Sequence, residues 1–252
     1  MHKEKVALLF FGLTRGLKYT LEKIKNNVIE PIKKDFDVDI FIHTYYFNGK
    51  YKNPRHGLEN IKLDFEEYKL LEPKYYGIDD QNKVASKLNL KSYRSKPDIF
   101  QNNYKSNDNY ILSLYSIQEV FKLFNKYKQE YKYAIFMRPD VLFIEKFNTK
   151  WFNNLDQNSI LIPGWDCFDK FVKTNLNNRF AVTRSEDAYK YGELLKELYG
   201  YSKNNSIMAE EFLGKMLYGL HKMTVIKIDF RFQRVLPDGS ILWRDENIRK
   251  KK

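Results

Sequence analysis

The sequence predicts an α/β protein in which helices flank a mostly parallel sheet, and three segments carry this prediction. An apolar run over residues 6–11, a helical apolar stripe over residues 17–28 and a second apolar run over residues 37–43 follow one another along the chain. Because a strand, a helix and a strand in this order form a βαβ unit, the first two strands are expected to be parallel. A further apolar run over residues 133–137 follows an amphipathic helix and extends the sheet.

The first helix follows a loop at residues 12–16 that begins and ends with glycine. Four apolar residues recur at spacings of four, three and four, and so share one helical face: Leu17, Leu21, Ile24 and Val28. Pro31 is expected to end this helix or to tighten its last turn, because proline has no backbone N–H group.

Residues 48–108 show no such periodicity, and they are rich in Asn, Lys, Tyr and Gly. We expect a long excursion over the surface with one short strand at residues 74–76, and excursions of this length tend to be functional or disordered. A clear helix over residues 110–127 then carries five apolar residues on one face: Leu114, Ile117, Val120, Phe121 and Phe124.

The second half of the chain contains short segments. Four strands and two helices are expected there: strands at 159–163, 177–182, 225–228 and 231–236, and helices at 186–199 and 208–220. Ser206 is expected to cap the second of these helices. No linker divides the chain, so we expect a single domain over residues 1–245 and a charged, disordered tail over residues 246–252.

Composition limits the class of protein only loosely. A net charge of +12 over 252 residues attracts polyanions, anionic lipid surfaces and phosphorylated small molecules alike. No nucleic-acid-binding motif is present and the aromatic residues fall mostly at core-type positions, so no specific nucleic-acid partner is expected. The single cysteine, Cys167, excludes an internal disulfide and is typical of a cytoplasmic protein. No apolar stretch approaches the ~20 residues of a transmembrane helix, and the first residues lack the pattern of a secretory leader.

The strongest candidate for a functional site follows the apolar run at residues 133–137, where Arg138 and Asp140 interrupt the apolar sequence. Since an unpaired charge inside a protein costs several kcal/mol, the strand is expected to surface here and to present Asp140 at a cleft. Open α/β sheets bind ligands at that edge. Asp140 would suit Mg²⁺ or Mn²⁺, and Arg138 would suit a phosphate. The alternative is a structural Arg138–Asp140 ion pair that closes the strand end.

Two loops carry further side chains suited to ligand binding. The loop at residues 12–16 would bind phosphate through the N–H groups at the start of the next helix, or it is a simple turn with an exposed Arg15. Trp165 with Asp166 and Asp169 would suit a sugar, or forms a packed indole beside two solvated acids.

Single acidic and histidine residues are weaker signals. Glu210 and Glu211 open a helix, where the helix dipole favours acidic residues in any case. His43 ends a strand, and such a histidine is either a base or a structural hydrogen-bonding residue. No two histidines have the spacing of zinc ligands, and no nucleophilic serine or cysteine motif is present.

Taken in order along the chain, these segments resemble glycosyltransferases of the GT-A fold. More narrowly, they are similar to small nucleotide-sugar transferases of large DNA viruses and bacterial surface-polysaccharide clusters. The resemblance covers most of the chain and is carried by five segments: residues 10–15 (first-strand loop), 39–44 (second strand), 133–143 (metal-motif strand), 178–181 and 210–213.

The resemblance implies a GT-A-like (Rossmann-like) fold and the transfer of a sugar from a nucleoside-diphosphate sugar, by default a UDP-sugar, to a glycan, a lipid-linked glycan or another hydroxyl acceptor. A lipid-linked acceptor would bring the basic surface into peripheral contact with a membrane. The resemblance assigns three sets of residues: donor-binding Phe11, Gly12, Thr14, Arg15, His43, Arg138 and Asp140; acceptor-binding Trp165, Asp169, Asn178 and Arg179; and, as candidate general bases, Glu210 first, then Asp166 and Glu211.

The resemblance also implies a divalent metal, Mn²⁺ or Mg²⁺, on Asp140. A full DxD metal motif has two carboxylates, whereas position 138 is arginine, so Arg138 would offset phosphate charge in place of a metal ligand. We expect Asp140→Ala to abolish transfer and to leave the fold intact. Two other classes stay open, a catalytically silent nucleotide-sugar-binding module and a basic nucleic-acid-binding protein, and the stereochemistry of transfer is open as well.

Overall fold

In the computed structural model, which describes residues 3–53, 57–165 and 174–248, seven strands form a central sheet. The described strands are β1 Lys5–Phe11, β2 Asp37–Tyr46, β3 Tyr51–Asn53, β4 Leu58–Ile61, β5 Tyr75–Asp80, β6 Tyr133–Met137, β7 Val141–Phe143, β8 Ser159–Pro163, β9 Phe180–Arg184, β10 Thr224–Ile228 and β11 Phe232–Arg234. The order in the central sheet is β5-β2-β1-β6-β9-β8-β10. Its pairs are parallel except those of β9, which is antiparallel to β6 and β8.

The helices lie in the connections between these strands. They are α1 Leu17–Ile24, α2 Glu30–Lys33, α3 Gln81–Lys87, α4 Lys105–Asn125, α5 Tyr189–Gly192, α6 Leu195–Asn204 and α7 Ala209–Gly214. Wider π turns follow α1 at Lys25–Ile29 and α7 at Lys215–Leu220. The predicted α/β fold, with a mostly parallel central sheet and flanking helices, is therefore confirmed. No helix in the described ranges is both long and apolar enough to cross a membrane.

Both faces of the sheet are buried, as the alternation of β1 shows. Ala7, Leu9 and Phe11 pack into a core that includes the apolar face of α4. The intervening residues of β1 pack into a second core on the opposite face, together with Leu17 of α1. A strand that is apolar on both faces reads as a continuous apolar run, and this is why β1 could be recognised in the sequence.

The chain order of the strands creates a crevice beside β1. In the sheet, β1 lies between β2 on one side and β6 on the other. The connections after β1 and after β6 therefore leave the same edge of the sheet in different directions. In open α/β sheets such a switch point is where ligands bind. Because β9 is antiparallel, the beginning of β9, not its end, lies at this edge.

The first helix contains a π turn at Lys25–Ile29 that the sequence did not predict. It continues beyond α1 through the π turn and ends at Lys33, so Pro31 lies in its last turn. Pro31 cannot donate a hydrogen bond to the carbonyl of Asn27, which accepts one from the backbone N–H of Phe147 instead, at 2.7 Å. The loop after β7 thus stabilises a helix that proline would otherwise interrupt.

Three local predictions are wrong. Residues 48–108 contain the β3–β4 hairpin, α3 and a sheet strand of six residues, where one short strand was expected. The helix expected at residues 186–199 is divided into α5 and α6. Ser206 does not cap α7, because its hydroxyl donates to the carbonyl of Pro97 at 3.0 Å and the helix begins at Ala209. Of the predicted tail, residues 249–252 lie outside the described ranges.

Candidate functional site

An open cleft lies at the carboxyl ends of β1, β2 and β6. Loops after β1 and β6, the end of β2 and one side of α4 contribute its walls. The lining residues are Gly12, Leu13, Arg15, Tyr45, Gln81, Asn109, Leu112, Ser113 and Arg138. The sequence predicted three of them, Gly12, Arg15 and Arg138, as donor-binding residues.

Arg138 and Asp140 form an ion pair in the turn between β6 and β7. Nε of Arg138 donates to Oδ1 of Asp140 at 2.7 Å, and Nη2 donates to Oδ2, so the two groups meet through two parallel hydrogen bonds. The Asp140 side chain is 5% exposed and that of Arg138 is 29% exposed. The structure thus contains the ion pair that the sequence offered as an alternative, and Arg138, not Asp140, lines the cleft.

A second arginine reaches the same carboxylate from the loop after β1. Nη2 of Arg15 lies 3.5 Å from Oδ2 of Asp140, while Nη1 donates to the hydroxyl of Tyr51 in β3. The Arg15 guanidinium also lies 5.1 Å from the centre of the Tyr51 ring, within the range of a cation–π contact. Arg15 is thus held between Asp140 and Tyr51 at the cleft.

The arginines decide the charge of Asp140. Burial opposes ionisation of this carboxyl, but the charges of Arg138 and Arg15 outweigh burial and hold the pKa of Asp140 below its usual range. Arg179 contributes in the same direction. Asp140 is therefore an ionised carboxylate enclosed by guanidinium groups.

The described residues do not fit a divalent cation at Asp140. Arg138 donates to both carboxylate oxygens, and a cation there would lie a few ångströms from the positive charges of Arg138 and Arg15. Within residues 3–53, 57–165 and 174–248, no group of three or more His, Cys, Asp or Glu side chains is placed to hold a metal ion. Asp166 and Asp169 lie outside these ranges.

Ser116 of α4 holds the backbone of Gly12 in place through a hydrogen bond. The hydroxyl of Ser116 accepts a hydrogen bond from the Gly12 N–H at 2.8 Å and donates to the carbonyl of His43 at 2.9 Å. Nδ1 of the buried His43 ring lies 2.8 Å from the same hydroxyl, and Nε2 lies 3.4 Å from a carboxylate oxygen of Asp79. Burial lowers the pKa of His43, although Asp79 opposes this. His43 therefore supports the Gly12 loop and does not line the cleft.

Two other donor-binding candidates also face inward. Phe11 is fully buried in the core on the α4 side. Thr14 is buried, and its carbonyl accepts a hydrogen bond from the N–H of Leu17 at 2.9 Å. In the described structure neither side chain lines the cleft, because their strand and loop positions direct them into the protein.

The start of α1 is occupied by a carboxylate of the chain itself. Oε2 of the buried Glu67 accepts a hydrogen bond from the N–H of Lys18 at 3.3 Å. Burial raises the pKa of Glu67, and this contact with the helix start opposes the rise. One of the helix N–H groups expected to bind phosphate is thus taken, whereas the Arg15 and Arg138 side chains line the cleft.

The beginning of β9 adds a third arginine. The N–H of Arg138 donates to the carbonyl of Arg179 at 3.2 Å, and Nη1 of Arg179 lies 4.0 Å from Oε1 of Glu210. Glu210 is buried beside Arg179, and its carboxylate is therefore part of this cluster of charges. Glu211 instead pairs with Lys215 one turn further along the helix, at 2.8 Å. The structure thus connects Glu210, but not Glu211, to the arginine cluster.

The predicted acceptor residues are only partly described. Nε1 of Trp165 donates to the carbonyl of Phe230 at 2.9 Å, and its ring packs edge-on against Phe232. This is the packed indole that the sequence left as an alternative. Oδ1 of Asn178 is buried and has no hydrogen-bond partner among the described residues. Asp166 and Asp169 lie outside those residues.

Sequence reasoning missed three residues that shape the site. Ser116 and Tyr51 contact the first loop from 104 and 36 residues away in the chain, and Glu67 contacts the start of α1 from 49 residues away. Only Ser116 carried a usable signal, because it is a small polar residue beside the apolar face of a long helix. Glu67 and Tyr51 lie in the region without periodicity.

Replacing the fully buried Ser116 with alanine is expected to destabilise the protein by about 1–3 kcal/mol, because the part-buried Gly12 N–H loses its hydrogen-bond acceptor and the carbonyl of His43 loses a donor. Urea unfolding at pH 7 measures this change. Ser86→Ala is the matched control, since the exposed Ser86 hydroxyl also donates to one backbone carbonyl. Equal stability of the two variants would contradict the assigned role of Ser116.

Comparisons with known proteins give little further information. No family model matches the chain, and no curated protein matches it. Among solved structures, the chain is similar to the apo crystal structure of mouse xyloside xylosyltransferase 1, with 12% sequence identity and a TM-score of 0.42, over 90% of this chain and 85% of that chain. A similarity this distant carries no argument about activity.

Proposed function

We propose that the chain is a glycosyltransferase that transfers a sugar from a nucleoside-diphosphate sugar, by default a UDP-sugar, to a hydroxyl of a glycan or lipid-linked glycan. The observation that supports this proposal best is the pair of guanidinium groups at the cleft. Arg15 and Arg138 follow two adjacent parallel strands and line the crevice at the switch point of the sheet. Fixed cationic donors at this place suit a diphosphate.

The chemistry of transfer explains why such groups are needed. When the bond between the sugar and the diphosphate breaks, negative charge grows on the departing phosphate oxygen. Donors that are already fixed in place stabilise this charge without reorganising during the reaction. In the proposed mechanism Arg138 and Arg15 carry this role, because Asp140 and Tyr51 hold them in place.

An inverting reaction also needs a base that accepts the proton of the acceptor hydroxyl. Glu210 is the preferred candidate, because it is buried next to Arg179 within the same cluster. Asp166 stays a second candidate from the sequence. Glu211 is the weakest of the three, since its carboxylate is engaged by Lys215.

The test is a turnover assay with purified protein. UDP-, GDP-, ADP- and CMP-activated sugars are incubated with a mixed panel of oligosaccharide acceptors, and nucleotide release and product mass are measured with wild type and Glu210→Gln. Acceptor-dependent release of one nucleotide, with a new glycan mass, supports the proposal. Binding of a nucleotide-sugar without turnover over the whole panel would instead favour the silent binding module.

A further inference from the structure

The charge balance at the cleft differs from that of a metal site. Three guanidinium groups, those of Arg15, Arg138 and Arg179, act on the Asp140 carboxylate, and Glu210 is the neighbouring second acid. The described cluster therefore carries more positive than negative charge. A site built to hold a dication carries an excess of carboxylates instead.

The geometry of Arg138 leaves part of its guanidinium available to a ligand. Nε and Nη2 donate to Asp140, whereas Nη1 takes part in no hydrogen bond within the described residues. The side chain lines the cleft and is 29% exposed. Arg15, which is 22% exposed, lines the same cleft. Two guanidinium groups thus face one cavity while a single buried carboxylate holds both.

Bidentate binding of a metal ion to Asp140 would displace Arg138, which donates to both carboxylate oxygens. That exchange would leave a guanidinium without its partner beside a dication, and removing one partner of a buried ion pair is costly. Binding a diphosphate to Arg15 and Arg138 needs no such exchange, because guanidinium groups bind phosphate oxygens through paired N–H donors that remain free after the contact with a carboxylate.

We propose that this protein binds the diphosphate of its donor through Arg15 and Arg138 without a divalent cation, and that Asp140 is the positioning residue that fixes both arginines. The inference rests on the proposed function, whose donor it describes. In this inference Asp140 is not a metal ligand, because its carboxylate holds the two arginines in place and does not contact the donor.

Nucleotide binding with and without metal tests the inference. The full chain is titrated with UDP, GDP, ADP, CDP and inorganic pyrophosphate, by calorimetry and thermal shift, in EDTA, in MnCl₂ and in MgCl₂. We expect at least one nucleoside diphosphate to bind in EDTA with an affinity within about threefold of that in MnCl₂. A ligand that binds only the native state raises the unfolding midpoint, so weak binding is detected as well.

The other outcomes are distinct. Binding that requires Mn²⁺ or Mg²⁺ overturns the inference and leaves the proposed function standing. Absence of binding by every nucleotide, with and without metal, overturns the proposed function and the inference with it.

Substitutions at Arg15 and at Asp140 distinguish a specific loss of nucleotide binding from a general loss of structure. Arg15→Gln is expected to weaken binding about tenfold in EDTA and in MnCl₂ alike, because one charged hydrogen-bonding group is lost. Arg244→Gln is the control, since Arg244 is exposed and lies outside the cleft, and it is expected to bind as wild type does. An Arg15→Gln protein with unchanged affinity and unchanged thermal midpoint overturns the inference.

Asp140→Asn distinguishes a positioning residue from a metal ligand. The amide retains the shape of the carboxylate but loses its charge, so the arginines are expected to be less well fixed and binding to fall equally in EDTA and in MnCl₂. A loss that is confined to MnCl₂ identifies Asp140 as a metal ligand and overturns the inference. The thermal midpoint of the variant without ligand shows whether folding is affected.

Discussion

Asp140→Ala is expected to lower the free energy of unfolding by about 3 kcal/mol or more, because it leaves the Arg138 guanidinium without the carboxylate that binds it through two hydrogen bonds. The sequence alone predicted that this substitution leaves the fold intact. Burial of the ion pair changes that expectation, since Asp140 is 5% exposed and acts on arginines from two strand ends. Loss of activity in this variant would therefore not by itself identify a catalytic residue.

Urea unfolding at pH 7 measures the effect, with Asp37→Ala as the control. Asp37 is exposed at the start of β2, so its replacement is expected to change stability by no more than about 0.5 kcal/mol. If both variants unfold at the same urea concentration, the ion pair does not stabilise the protein.

The pH dependence of this contribution has a definite sign. The pKa of Asp140 is lower in the folded protein than its unfolded value of about 3.9, so the ionised group stabilises the fold above that pH. The contribution is lost as the pH falls through the lowered pKa of the folded state. The stability difference between wild type and Asp140→Asn should therefore be largest near pH 7 and should shrink below about pH 4. A difference that stays constant down to pH 2 would contradict this assignment.

Gly214→Ala is expected to destabilise the protein by about 3 kcal/mol or more, because an added Cβ would lie 1.9 Å from the backbone carbonyl oxygen of Thr174. The contact cannot be relieved by rotating a side chain, so α7 would have to move. Since α7 carries Glu210, whose carbonyl accepts a hydrogen bond from the N–H of Leu176 at 3.1 Å, the contact between Glu210 and Arg179 should loosen as well.

Gly200→Ala provides the matched control within α6. An added Cβ there has no atom within 4 Å, and alanine is the better helix former by about 1 kcal/mol, so this variant should be at least as stable as wild type. Thermal unfolding of the two variants measures the contrast. A Gly214→Ala protein with the midpoint of wild type would show that α7 does not pack closely on residue 174.

The sequence predicted the part of the fold that depends on local pattern. β1, α1 and β2 follow one another with clear apolar periodicity, and the α4 and β6 segments are similar in this respect. Residues 48–108 could not be assigned, because β5 is an edge strand with half-exposed residues and its pairing with β2 depends on distant contacts.

The sequence predicted where Arg138 and Asp140 lie in the fold, but not how their side chains are arranged. Arg138 and Asp140 were identified because charges interrupt an apolar strand, and both lie at the expected sheet edge. Their roles could not be assigned from the sequence, since Arg15 is 125 residues away from Asp140 in the chain. The two side chains come together only because the sheet places the ends of β1 and β6 side by side. No local pattern encodes the distance between two strand ends.

The position of β1 in the sheet has a consequence for how the protein is made. β1 lies between β2, which follows it closely in the chain, and β6, which is synthesised only after residues 48–132. Until then one edge of a strand that is apolar from Val6 to Phe11 stays unpaired, and unpaired apolar edges promote aggregation. Pairing of sequence-distant strands also slows folding. Fragments that end before β6 are therefore expected to aggregate when they are expressed.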